Sequence, residues 1–242
     1  MGQHAQYGAL VRLAALLALA PIQAEAGCRL ALLLALDISS SVDPGEDALQ
    51  RAGLAAALKS SEVQAAILSV PDRPVALAVY EWSGRYQQRV VVPWRLLESP
   101  SAILGAAEAI AGSRRSYAAF PTAMGFGLAF GARLFDSAPD CTERTLDMSG
   151  DGINNDGFGP ELAYASFPFG DITVNGLAIG GGSPNDAEVF DFYRDRVIRG
   201  PGAFVETARD FSDFERAIRR KLMREVAARV YGGTSLLPRD GG

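Results

Sequence analysis

Histidine is almost missing from this chain; the single one is His4. It falls in an N-terminal segment that reads as a leader, so the remainder of the chain has none. Without histidine, Ser-His-Asp and Cys-His catalysis and every His-ligated zinc site are excluded. Cysteine is scarce too. Cys28 and Cys141 are too few for a four-thiolate zinc site. Any metal would be held mainly by oxygen, and any catalysis would rest on carboxylates, Ser, Tyr, Lys or metal. A basic excess is also lacking. The net charge is −5 and the basic residues are scattered, which leaves no nucleic-acid footprint. No segment beyond the leader reaches membrane-span length without charges. Neither an internal repeat nor an interdomain linker is visible.

The 242 residues suffice for one α/β domain with a sizeable core. Arg12 supplies a weak positive start, residues 13–20 form an Ala/Leu stretch, and Ala24-Glu25-Ala26 fits a small-x-small cleavage site. Residues 1–26 therefore read as a signal peptide of an exported, periplasmic or secreted protein. Residues 27–231 form the domain and 232–242, rich in Gly and Pro, a loose tail. An alternative is a lipoprotein anchored at Cys28, for which Ala26 and Gly27 are suitable neighbours and Glu25 is not.

The apolar run 30–36 is a buried strand. Residues 44–60 read as a helix with Leu54, Ala57 and Leu58 on one face and Leu49 off it. Further strands are expected at 75–80, 88–94, 145–148, 172–179 and 203–206, the first two of these joined as an antiparallel hairpin. Further helices are expected at 100–111, 122–135, 160–166, 187–197 and 211–230. The helix at 100–111 carries Ile103, Leu104, Ala107 and Ile110 on one side. The last helix carries Phe211, Phe214, Ile218, Leu222 and Val226 at helical spacing, with Ser212 and Glu215 as a capping-box pattern. Its basic residues Arg219, Arg220, Lys221 and Arg224 read as a wet face. Strands alternating with helices give an α/β fold: a doubly wound, mostly parallel sheet with helices on both faces.

Directly after the first strand comes Asp37-Ile38-Ser39-Ser40-Ser41. Residues two apart in an extended segment project to one side, so Asp37, Ser39 and Ser41 offer three hard oxygen donors of the kind Mg²⁺ prefers. The plainer reading is a strand end followed by a helix cap, with Pro44 in the first turn. Two more oxygen donors stand where an open α/β sheet binds ligands, beyond strand ends. Asp151 lies in Ser149-Gly150-Asp151-Gly152, and Thr122 opens a helix after Phe120-Pro121.

This set resembles the metal-ion-dependent adhesion site of von Willebrand factor type A (vWA) domains. Their three loops supply D-x-S-x-S, then a Thr, then an Asp. The resemblance spans residues 28–231. Glu81-Trp82-Ser83-Gly84, Ser149 through Asn155, and Val174 through Ile179 further resemble a bacterial exported vWA-like family known only as domain of unknown function 1194. Three departures stand out. Gly150 precedes Asp151 where many vWA domains have Thr or Ser. Phe120-Pro121 precedes Thr122 in place of a Gly. Glu81 stands where an apolar strand end is usual, as a carboxylate near the site or a solvated end.

The resemblance implies a metal-dependent protein-binding module, not an enzyme. A divalent cation, Mg²⁺ first and Mn²⁺ or Ca²⁺ as alternatives, would be held by Asp37, Ser39, Ser41, Thr122 and Asp151. The partner would be a protein offering an acidic residue to the metal, with no nucleic acid and no membrane span. A metal-assisted hydrolase using Asp37 or Asp151 as base, or a structural exported domain, are the alternatives. Strands one and four are neighbours in vWA folds. Cys28 and Cys141 lie at nearly equal distances before Asp37 and Asp151, so they would meet in a disulfide. Three other patterns carry less. Gly125-x-Gly127-x-x-x-Gly131 has the wrong spacing for a dinucleotide loop. The acidic and amide run 151–157 does not match a calcium loop. Asp147, if buried, needs a partner.

Overall fold

The apolar run 30–36 lies within β1, Cys28–Asp37, all of it buried. A strand covered by helices on both faces reads as a continuous apolar run because neither side meets water. A computed structural model describes residues 27–181 and 186–227; the expected signal peptide and the tail at 232–242 lie outside them. The strands are β1, β2 (Val75–Trp82), β3 (Gln88–Leu96), β4 (Cys141–Gly150), β5 (Ile172–Ile179) and β6 (Val205–Ala208). They lie in the order β3-β2-β1-β4-β5-β6. All pairings are parallel except the β2–β3 hairpin.

Among the described residues seven α-helices cover this sheet. α1 (Pro44–Lys59), α2 (Ser61–Ile67), α3 (Pro100–Ala111) and α7 (Phe214–Ala227) pack on one face. α4 (Met124–Leu134), α5 (Pro160–Ser166) and α6 (Asp186–Phe192) pack on the other. α6 runs into a π-helical turn, Tyr193–Val197. The expected doubly wound fold is the one observed. Leu49 is 47% exposed, as its position off the α1 stripe required.

Several local expectations are corrected. α2 is not among the expected helices, because seven residues carry too little periodicity to declare one. In α3, Leu104 is 38% exposed and Ala106 is buried in its place. The final helix begins at Phe214 behind a 3₁₀ turn, Phe211–Asp213. Asp210 and not Ser212 caps that turn, accepting the Asp213 N–H at 3.0 Å, while Glu215 pairs with Arg219. The five apolar residues of the stripe are buried as expected.

Cys28 and Cys141 stand opposite each other in the β1–β4 ladder and are disulfide-bonded. With Cys28 Sγ in that bond, it is not open to a lipid anchor. The bridge spans 113 residues, and chain entropy puts its contribution at about 4–5 kcal/mol as an upper limit.

Lys221 departs from the wet-face expectation. Its side chain is 0% exposed and lies 2.8 Å from Asp147 Oδ1 and 2.7 Å from Glu225 Oε1. The Asp147 contact is an ion pair outside good hydrogen-bond alignment. Asn175 Nδ2 donates to Glu225 Oε1 at 2.7 Å, and its Oδ1 accepts the Phe204 N–H at 3.2 Å. Asp147 thus has its partner. Burial pushes its carboxyl up to about 7, with Lys221 opposing the rise and Glu225 adding to it. The neighbouring Arg220 is exposed and reaches Glu206, whose side chain is only 10% exposed. Removing one member of a buried ion cluster strands the others. Lys221→Ala should therefore cost about 3–5 kcal/mol in equilibrium chemical denaturation, whereas Arg220→Ala, which removes an exposed partner of one carboxylate, should cost no more than about 1 kcal/mol. Equal effects would show that Lys221 is only a surface charge.

Candidate metal centre

The strand order reverses between β1 and β4: β1 is followed by β2 on one side, β4 by β5 on the other. Their carboxyl ends therefore open the crevice at the topological switch point. Asp37 closes β1 and Gly150 closes β4, which puts Asp151 directly beyond it.

The first loop carries a chain of short contacts. Asp37 Oδ1 accepts the Ser39 N–H at 2.7 Å. Ser39 Oγ and Ser41 Oγ lie 3.1 Å apart, and Ser41 Oγ donates to Asp151 Oδ1 at 2.7 Å. The helix cap is present, and it falls on Asp43. Asp43 caps α1, taking the Gly45 and Glu46 N–H groups on Oδ1 at 2.6 and 2.8 Å, and Glu46 returns to the Asp43 N–H. Asp37, Ser39 and Ser41 are left to the crevice.

The second loop is held against the first. Arg115 donates to the carbonyls of Ile38, Ser39, Val42 and Tyr117, and the Ser40 N–H meets the Phe120 carbonyl at 2.7 Å. Thr122 is buried just before α4. Its N–H donates to Asn155 Oδ1 at 2.8 Å, and its carbonyl accepts from the Asn155 and Asp156 N–H groups. Thr122 Oγ1 faces Gly152, where a Cβ would stand 3.6 Å away. The five expected residues are therefore brought to one crevice: four through a connected contact chain, Thr122 beside Asp151's loop. The run 151–157 works as a clamp. Asn155 holds Thr122, Asn154 accepts the Gly125 N–H at 3.4 Å, and Asp156 pairs with Arg85 at 2.7 Å.

Beneath the loops lies a second layer that the sequence did not reveal. Gln50 Nε2 donates to the Asp37 carbonyl at 3.0 Å, and Ser149 Oγ donates to the Ala35 carbonyl at 2.9 Å. Of the two expectations for Glu81, the solvated end is corrected: the side chain is buried, a carboxylate behind the crevice that is bound to Arg51 at 2.5 Å. Its other oxygen accepts the Ser116 N–H at 3.0 Å, which anchors the second loop. The glycines of the dinucleotide-like pattern serve packing: Gly127 meets the Trp82 ring, and Gly131 meets Tyr80 and Leu146.

Two features test whether these residues suit a cation. Asp37 Oδ2 is buried with no hydrogen-bond partner. Asp37 as a whole is pushed up to about 7, by burial first and by Asp151 second, while the Ser39 contacts and Arg115 pull it down. Asp151 is raised as well, by burial. Two carboxylates brought together out of water disfavour their own charge, and a divalent cation would reverse that. Among the described residues no three His, Cys, Asp or Glu side chains converge. Two carboxylates with three hydroxyls nevertheless form a hard oxygen set.

The doubly wound, mostly parallel sheet has the vWA-like α/β fold. The chain belongs to the family described as "Protein of unknown function (DUF1194)", which it matches over residues 27–230. No curated protein sequence matches it. Similar solved structures include a von Willebrand factor type A protein from Catenulispora acidiphila, at 22% identity and TM-score 0.56, covering 82% of this chain and 43% of that one. Proximal thread matrix protein 1 from the mussel byssus, with a zinc-occupied MIDAS motif, is similar at 16% identity and TM-score 0.56, covering 84% and 49%. The pilus adhesin SpaC from Lactobacillus rhamnosus GG is similar at 13% identity and TM-score 0.57, covering 82% and 30%. The chain spans less than half the length of each of these three proteins.

The departure at Gly150 has a steric reason. A Cβ there would stand 2.6 Å from Asp37 Oδ2, 2.8 Å from Tyr193 Oη and 3.1 Å from Asp37 Cβ. Gly150→Ala should destabilise the fold by about 1–3 kcal/mol through overpacking. Gly152→Ala, with only an ordinary contact to Thr122, should stay within about 0.5 kcal/mol. Thermal and chemical unfolding of the two variants side by side measures the difference, and the reverse ranking would contradict the packing described.

Proposed function

We propose that this protein is an exported, cation-dependent protein-binding module of the adhesion type, acting by binding and not by catalysis. The observation that carries the reading is the buried, unpartnered Asp37 Oδ2 beside Asp151. Ser39, Ser41 and Thr122 would supply neutral oxygens, and Asp37 and Asp151 the negative charge. Mg²⁺ fits this set first, with Mn²⁺ or Ca²⁺ as alternatives. The bound cation would supply an electrophilic centre for an acidic side chain of a partner protein. The zinc-occupied MIDAS motif of the mussel protein and the adhesin identity of SpaC support the reading by likeness of fold.

Export is supported by the leader-like residues 1–26 and by the Cys28–Cys141 bridge, which persists in an oxidising compartment. Among the described residues no helix is long and apolar enough to cross a membrane.

Titration calorimetry on folded protein should show Mg²⁺ or Mn²⁺ binding at millimolar concentrations or tighter. Asp37→Ala and Asp151→Ala should greatly weaken it. No heat from the folded wild type would remove the cation site. Crosslinking and capture from the native exported fraction should then recover a partner with wild type plus Mg²⁺, and not with Asp37→Ala or with chelator.

Mass spectrometry of protein recovered from its native cells should find an N-terminus near Gly27 in a non-cytoplasmic fraction. An intact Met1 on cytoplasmic protein would contradict export.

A further inference from the structure

Tyr193 belongs to none of the three loops, yet its hydroxyl ends in the crevice. The residue opens the π-helical turn after α6 and is fully buried. Isolated π-helical turns are uncommon and concentrate at functional sites. Tyr193 Oη has no hydrogen-bond partner, and neither has Asp37 Oδ2. Both oxygens crowd the point where a Cβ of residue 150 would sit, at 2.8 and 2.6 Å from it. Other tyrosine hydroxyls have taken local partners: buried Tyr80 donates to the Gly127 carbonyl at 2.9 Å, and half-buried Tyr164 donates to the Val197 carbonyl. A buried hydroxyl without a partner costs free energy, and this one faces a carboxylate oxygen with the same deficit.

Neighbouring side chains leave the pair few other choices. Gly176 passes beneath the ring of Tyr193 and would collide with Cδ1 if it carried a Cβ, at 2.6 Å. The ring is therefore packed against β5 and β4 and has little freedom to turn its hydroxyl elsewhere. Asp37 Oδ1 is already committed to the Ser39 N–H. Oδ2 is the oxygen left to answer Tyr193.

We propose that Tyr193 is a positioning residue of the cation site, its hydroxyl donating to Asp37 Oδ2, directly or across one water, to fix that carboxylate beside the metal. The inference rests on the proposed cation site and adds to it a fourth segment of the chain. Side chains that orient a metal-binding carboxylate from behind typically change metal affinity by ~10–100-fold when removed. Gly150 is then part of the same device, since a side chain there would separate the two oxygens.

The test is Mg²⁺ titration calorimetry of the wild-type chain, Tyr193→Phe and Tyr80→Phe, each checked for folding by circular dichroism. Tyr193→Phe should bind Mg²⁺ at least roughly tenfold more weakly, while Tyr80→Phe, which loses a buried hydroxyl outside the crevice, should match wild type. Mg²⁺ should also perturb the near-ultraviolet tyrosine difference spectrum of wild type, and Tyr193→Phe should lose that change. Unchanged Mg²⁺ affinity in Tyr193→Phe overturns this inference and leaves the cation site standing. No Mg²⁺ binding by wild type overturns both. Should Tyr193→Phe fail to fold, the wild-type spectrum decides: no tyrosine change at Mg²⁺ saturation overturns the inference.

Discussion

The parallel pairing of β1 with β4 is the constraint on which the rest of this molecule depends. One register places Cys28 opposite Cys141 at one end of the sheet. The same register, carried along two strands of ten residues each, brings Asp37 and Asp151 together at the other end. The disulfide and the crevice are thus two consequences of a single ladder. A slip by one residue would turn every side chain of the moved strand to the opposite face. It would part the two sulfurs and both carboxylates at once. The bridge therefore fixes the register that the crevice requires, from the far end of the sheet.

The loops above that ladder are held by groups that are not themselves candidate ligands. Arg115 spends its guanidinium on carbonyls of the first loop, Asn155 caps Thr122, and Glu81 anchors the second loop through Ser116. The main-chain geometry of all three loops is set by donors and acceptors from neighbouring segments. In such an arrangement the ligand-type side chains stand in place before any cation arrives, and little ordering entropy is left to lose on binding.

Charge inside the fold follows the same logic. Glu81–Arg51–Asp47 lies under the first and second loops, and Asp147–Lys221–Glu225 lies under α7. Each cluster has a cation flanked by two carboxylates. Buried ion clusters contribute less to net stability than apolar packing, but they tolerate few alternative arrangements. They pin α1 and α7 to particular positions over β2 and β4, the two strands that flank β1.

The sequence by itself determined the fold class, the order of elements apart from α2, the β2–β3 hairpin and the disulfide partner inferred through the vWA likeness. The first three follow from local periodicity and turn length; the disulfide needed the strand adjacency that the vWA likeness implies. It also singled out Asp37, Ser39 and Ser41, which alternate beyond a strand end, and Thr122 and Asp151, which stand close to a helix start and a strand end. A signal for the burial of Lys221 is present as well: it follows Ile218 by three residues and Phe214 by seven, which puts it on the apolar stripe of α7. Alternation with Val75, Leu77 and Val79 likewise places Glu81 inward. Only the tertiary structure decided their partners, the role of Arg115, and the approach of Tyr193 to Asp37. Those depend on which helix face lies over which strand, and the nearness of residues 37 and 193 leaves no trace in the periodicity of either segment.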